Sequence, residues 1–342
     1  MKKISIVILA IMCVTFSLSA QSSGYRIANK FHIDGDDGWD ALSADDATGR
    51  LYISHGTIVQ VVDESNGTVL ATITGLNGVH GIALATDLNK GFISSGRDSS
   101  VTVFDLKSFA TTNKINVTGR NPDAILYDPY THRVFTFNGG SSNATVIDAT
   151  NDAVIGTIAL DGKPEFPAAD GKGKVYINIE DKSELSVINA SSMTVESTWP
   201  LSPGEEPSGL ALDAENHILF SACNNKTMVI INADNGKIIT TLPIGERVDG
   251  ADFDPATKRA FSSNGDGTLT VIQEESKDKF SVVENVETQK GARTIAIDKK
   301  THHIFMPTAD FDPPPPPTTD NPHPRPKLKP GTFIILDVEP VK

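Results

Sequence analysis

Beyond residue 33 the chain alternates apolar runs of about six residues with clusters of Gly, Asn, Asp and Thr. Within the runs, Val and Ile recur at every second position, which predicts β-strands, and no stretch carries a helical apolar stripe with caps. The runs form a repeating phrase. A strand ending in Asp leads to a strand with an early aromatic. A third strand of the form Val-x-Val-Ile-Asp follows, then a Gly/Asn turn and a fourth strand. The phrase begins at Asp40, His80, Asp123, Glu165, Ser208, Asp249 and Arg293, seven copies spaced 40 to 44 residues apart. Tyr52, Phe92, Phe135, Tyr176, Phe220, Phe261 and Phe305 mark the second strand of each copy. Val61-Val62-Asp63, Val146-Ile147-Asp148 and Ile335-Leu336-Asp337 exemplify the third. Four short strands repeated seven times predict an all-β fold, a seven-bladed β-propeller of four-stranded blades. A solenoid would need special end caps, and none is visible.

The seventh copy lacks a fourth strand, while residues 25–33 read as an orphan strand ahead of the first copy. Lending that strand to the last blade would close the ring and remove an open sheet edge. Length alone suggests two or more domains, but the repeat makes residues 21–342 a single ring. Its one irregularity is an insertion, 309–331, between the second and third strands of the last copy. It holds a proline run, 313–317, then Pro322, Pro324, Pro326 and Pro330 interleaved with His323, Arg325, Lys327 and Lys329. Proline runs adopt stiff polyproline II. The insertion is expected to be a lid or docking ledge over the channel, its basic side chains latched to an acidic ring, or else a tolerated surface loop. Residues 1–20 read as a signal peptide: Lys2 and Lys3, an apolar run at 4–18, then Leu18-Ser19-Ala20. That run is short for a bilayer span. A periplasmic or secreted protein without membrane insertion is therefore expected.

Leu51-Tyr52-Ile53-Ser54-His55, Phe135-Thr136-Phe137-Asn138 and Phe261-Ser262-Ser263-Asn264 share one pattern, and Gly119-Arg120-Asn121-Pro122, Gly162-Lys163-Pro164 and Gly204-Glu205-Glu206-Pro207 another. In these segments the chain resembles the YVTN-repeat, YncE-like family of seven-bladed propellers, here as an exported bacterial member, over residues 24–340. The resemblance implies that the first strand of each phrase lines a central channel. It also implies that the loops leading into it share a face with the loops between second and third strands. The seven leading residues would then surround one mouth, with His55, Asn138, Asn264 and Asp310 beside them.

Charge sharpens the picture. The sequence has 43 Asp plus Glu against 30 Lys plus Arg, a net charge of −13. That argues against nucleic acid, as does Trp39 being the only Trp near the mouth. Two Cys rule out a disulfide scaffold, and Cys223, the one outside the leader, reads as packed. No phosphate loop, nucleophile elbow or Cys-x-x-Cys occurs. Asp40, His80, Asp123 and Glu165 are candidate ligands for a divalent cation. An oxygen-rich set suits calcium or magnesium, whereas His55 and His80 with Asp40 would suit zinc or manganese. Competing with this, His80 would simply pair with Asp40, and Arg293 would neutralise Asp249.

The expected function is a monomeric binding or scaffold protein whose channel face takes a small molecule, a peptide or another protein. Its binding residues would be Asp40, His55, His80, Asp123, Asn138, Glu165, Asp249, Asn264 and Arg293. The alternative is a cation-dependent, lactonase-like hydrolase at the same mouth.

Overall fold

A computed structural model describes residues 24–318, 324 and 326–341. The segment 1–20 read as a signal peptide, and His323 and Arg325 of the expected latch, lie outside the described residues. Seven antiparallel four-stranded sheets follow one another around a ring. Blades 1 to 6 each use four consecutive strands, from Trp39–Asp45 at the start of blade 1 to Lys279–Glu287 at the end of blade 6. Blade 7 runs from the channel outwards as Ala296–Ile297, Ile304–Thr308, Ile334–Pro340 and the N-terminal strand Tyr25–His32. No helix among the described residues is long and apolar enough to cross a membrane.

The core is divided into seven layers, each between two neighbouring blades. Second and third strands are covered on both faces, so segments such as Leu51 to His55 are buried throughout. Outer strands, such as Thr111–Asn116, have mostly exposed residues. The repeated aromatics, Tyr52 through Phe305, are all buried in these layers. Burying such a ring contributes about 2–3 kcal/mol, so the seven positions carry much of the cohesion between blades.

Ring closure follows the predicted route. Tyr25–His32 pairs antiparallel with Ile334–Pro340. Tyr25 also grips blade 6: its ring meets Phe261 edge-on at 5.3 Å, the Arg259 guanidinium lies 5.3 Å above it, and its backbone N–H donates to Glu284 Oε2 at 2.9 Å. The innermost strand of blade 7 is shorter than the sequence pattern predicts. Only Ala296–Ile297 pairs with the second strand. The preceding residues are bonded sideways instead: the Arg293 carbonyl accepts from Gly250 N–H at 2.9 Å, and Thr294 Oγ1 donates to the Asp40 carbonyl at 2.8 Å.

Two seams between blades hold facing carboxyls. Glu64 of blade 1 meets Asp298 of blade 7, and burial, then Asp298 itself, pushes the Glu64 carboxyl up to about 8. Glu64 Oε2 and Asp298 Oδ2 are both buried without a hydrogen-bond partner, and a proton held on Glu64 would relieve the repulsion between them. Between blades 5 and 6, Glu274 lies beside Asp213, and burial raises it to about 7 against the pull of the Asn216 amide.

Candidate functional site

The side chains at the mouth are set by a backbone irregularity. In blades 1 to 6 the pairing of first and second strands slips just where the phrase begins. In blade 1, for example, Trp39 pairs with His55 and Leu42 with Ile53, leaving Asp40 and Ala41 opposite Ser54 alone. Such a bulge re-aims the extra side chain. Here it turns Asp40, His80, Asp123, Ser208 and Asp249 towards their counterparts on neighbouring blades. Hydroxyls on the second strand satisfy the freed backbone groups: Ser54 Oγ accepts from Asp40 N–H at 3.0 Å, and Ser94 Oγ from Gly81 N–H at 2.8 Å.

In the ring that results, three basic side chains are set among the carboxylates. His80 Nδ1 lies 2.7 Å from Asp40 Oδ2 and 3.4 Å from Asp123 Oδ1. Glu165 Oε1 lies 2.7 Å from Lys163 Nζ, which also bonds Glu180. Asp249 accepts from Arg293 and, at 2.9 Å, from Ser208 Oγ. Burial raises Asp123 to about 6, against the pull of His80 and helped by Asp40. It likewise raises Glu165 against Lys163, and Asp249 against Arg293. Burial works to lower His80, but its hydrogen bond to Asp40 and the nearby carboxylates prevail and raise it above the ordinary imidazole range.

Of the four candidate metal ligands, Asp40, His80 and Asp123 come together, with donor atoms all within 4.8 Å of one another. They are the residues of the mouth that could hold a divalent cation. Glu165 is turned towards Lys163. His55, Asn138 and Asn264 sit behind the ring, buried and engaged in the framework. His55 has both ring nitrogens occupied, by Gln60 Oε1 at 2.9 Å and the Asp37 carbonyl at 2.8 Å, and its ring packs on Phe333. Asn138 donates to Asn143 and Thr145, and Asn264 to Thr268 and Thr270, tying second strands to third. Asp310 lies on the insertion and accepts from the Gln289 amide at 3.1 Å.

Three participants were missed by the sequence reading. Lys163 and Arg247 each stand two residues ahead of a ring carboxylate, Glu165 and Asp249, and that spacing was the available signal. The third is Phe311, whose ring centroid lies 5.9 Å from that of Trp39. Their contact depends on how the insertion folds. Its ends form a short ladder: Phe311 bridges Leu328, Asp312 N–H donates to the Lys327 carbonyl, and Lys329 N–H to the Asp310 carbonyl. Gly331 N–H then donates to Asp36 Oδ1 at 2.8 Å, hanging the ladder beside blade 1. Among the described residues, Lys327 and Lys329 make no ion pair with the ring, whose carboxylates pair with His80, Lys163 and Arg293 instead.

Between this ladder and blades 6, 7 and 1 lies a cavity of about 870 Å³. Trp39, Phe311 and Leu328 supply apolar wall, while Arg247, Lys290 and Arg293 supply cationic groups. Arg293 belongs to both cavity and ring, so the two are continuous.

No protein-family model matches the chain, and no curated protein matches it in sequence. Solved structures do match. That of U3-55K superposes with a TM-score of 0.75 at 8% identity, over 91% of this chain and 98% of the other. The WD40 repeats of RRP9 give 0.75 at 8%, over 92% and 97%. A chain of Kuenenia stuttgartiensis hydrazine synthase gives 0.68 at 16%, over 80% and 94%. At such identities the likeness is one of fold, and function must be argued from the site.

Proposed function

We propose that this protein is a binding module of the exported, YncE-like type, which takes a ligand or a partner's segment at the channel mouth. The cavity of about 870 Å³ carries the reading. Its size and its mixture of aromatic wall with a few convergent polar groups are those of ligand sites. The neighbouring carboxylates support binding over hydrolysis: Asp40, Glu165 and Asp249 each lie against a basic side chain, and Asp123 shares His80 with Asp40.

A blocking variant tests this. A side chain added at Gly38 meets no atom within 4 Å, and Gly38 lines the cavity. Gly38→Leu should therefore occupy part of the cavity beside Trp39 while leaving the fold intact. A chemically diverse thermal-shift screen should yield compounds that stabilise the parent more than Gly38→Leu. If every stabilising compound acts equally on both, the mouth is not the binding site.

A further inference from the structure

The cavity's chemistry narrows the ligand class. We infer that it takes a small organic oxyanion, a carboxylate or phosphate on a flat apolar body. The inference rests on the mouth being a binding site and adds what is recognised there.

The cationic wall has unused capacity. Arg293 directs Nη1 at Asp249, and Arg247 directs Nη2 at the Gly265 carbonyl, 3.1 Å away. A guanidinium carries five N–H donors, so both retain donors for a ligand. Neither Arg247 nor Lys290 has an ion pair among the described residues, in contrast to Lys163 and Arg293. The space between the two arginines is kept open by a glycine. A side chain at Gly265 would come within 3.2 Å of Arg247 Cβ and 3.8 Å of Arg293 Cβ. Two guanidinium groups with spare donors on one cavity wall suit a carboxylate or a phosphate, which guanidinium binds bidentately.

The facing wall is of another kind. Trp39 and Phe311 present rings inclined at 45°, a surface for a flat hydrocarbon body. Two carboxylates of the ladder, Asp310 and Asp312, also border the cavity. Asp310 is engaged by Gln289, and both residues are exposed on the insertion. They disfavour a ligand with a second negative charge, which limits the class to a single anionic head on an apolar body.

Trp39 provides the readout. The only other tryptophan, Trp199, packs near Tyr176 in blade 4 and can be removed as Trp199→Phe. In that background, Trp39 fluorescence is titrated with 2-naphthoate, 2-naphthyl phosphate, neutral 2-naphthamide and cationic 2-naphthylmethylamine. At least one of the two anions should bind saturably and at least about tenfold tighter than the amide and the amine. The stronger anion identifies the head group. Arg247→Ala should weaken it about tenfold or more, and Gly38→Leu should weaken it with an unchanged melting temperature. Amide or amine binding as tightly as the anions, and weakened in Gly38→Leu, would overturn the oxyanion inference and leave the mouth as a binding site. Anion binding untouched by both substitutions would place the ligand elsewhere and overturn the inference. Failure of all four probes would also overturn it, leaving the broader screen to decide the mouth itself.

Discussion

Glu64→Gln probes the seam where the ring closes. The Glu64 carboxyl faces Asp298 across blades 1 and 7, with Asp46 and Asp63 adding negative charge nearby, and is pushed from 4.5 up to about 8. A carboxyl raised in the folded state binds more protons there than in the unfolded chain. Its stabilising contribution is therefore complete below about pH 4.5 and is lost as pH rises through about 8. At 1.36 kcal/mol per pH unit, the full interval sets a ceiling of about 5 kcal/mol. Glu64 is only partly buried, and solvent screening reduces the expected loss to about 1–2 kcal/mol. Glutamine keeps the shape and supplies a permanent N–H to Asp298, so the variant should not suffer this loss. Melting temperatures of parent and Glu64→Gln, measured at pH 5, 7 and 9, give the comparison. Near pH 9 the variant should melt about 2–6 °C higher than the parent, with the gap shrinking or reversing at pH 5. A difference that is the same at all three pH values would refute the bound-proton reasoning, because only the titration of Glu64 makes it vary.

Three further outcomes are expected. Tyr25→Ala should cost about 3–5 kcal/mol in chemical denaturation, since it removes a buried ring bridging blades 6 and 7; a loss below about 1 kcal/mol would mean that the N-terminal strand is not a working closure. With His80, Lys163 and Arg293 already set among the ring carboxylates, millimolar calcium or magnesium should shift the melting temperature by less than about 1 °C. A saturable rise abolished by Asp40→Ala would instead favour the cation-dependent hydrolase reading. Cys223 is fully buried, and burial holds its thiol well above the ordinary range, so a thiol reagent should label it only after unfolding.

The architecture was legible in the sequence because it is redundant. Seven copies of one phrase, each with its aromatic at a matching place, outvote any local ambiguity, and the orphan segment at 25–33 had one vacant position to fill. The site was less legible because a slip of one residue decides where a side chain points. His55 and His80 both lie at the channel end of a strand. His55 pairs in register with Trp39 and is drawn into the framework, whereas His80 falls in a bulge and turns to Asp40. Hydrophobic alternation does not report such slips. Lys163 and Arg247 were hidden for a different reason: they sit in loops, where no periodicity marks direction. The short first strand of blade 7 reflects sideways bonds from Arg293 and Thr294, contacts far apart in sequence that composition does not encode.

The pairing of Tyr25–His32 with Ile334–Pro340 brings together residues such as Asn29 and Asp337, 308 positions apart, at 2.8 Å. Both ends of the described chain thus meet in adjacent strands of one blade, so the protein can be circularly permuted. A short linker joining the ends, with a new break at the exposed turn around Asn66-Gly67 or Asn235-Gly236, would turn the most distant contact of the fold into a local hairpin. Such permutants move the slow, long-range closure from blade 7 to whichever blade carries the break, and their refolding rates would map how each seam contributes to completing the ring.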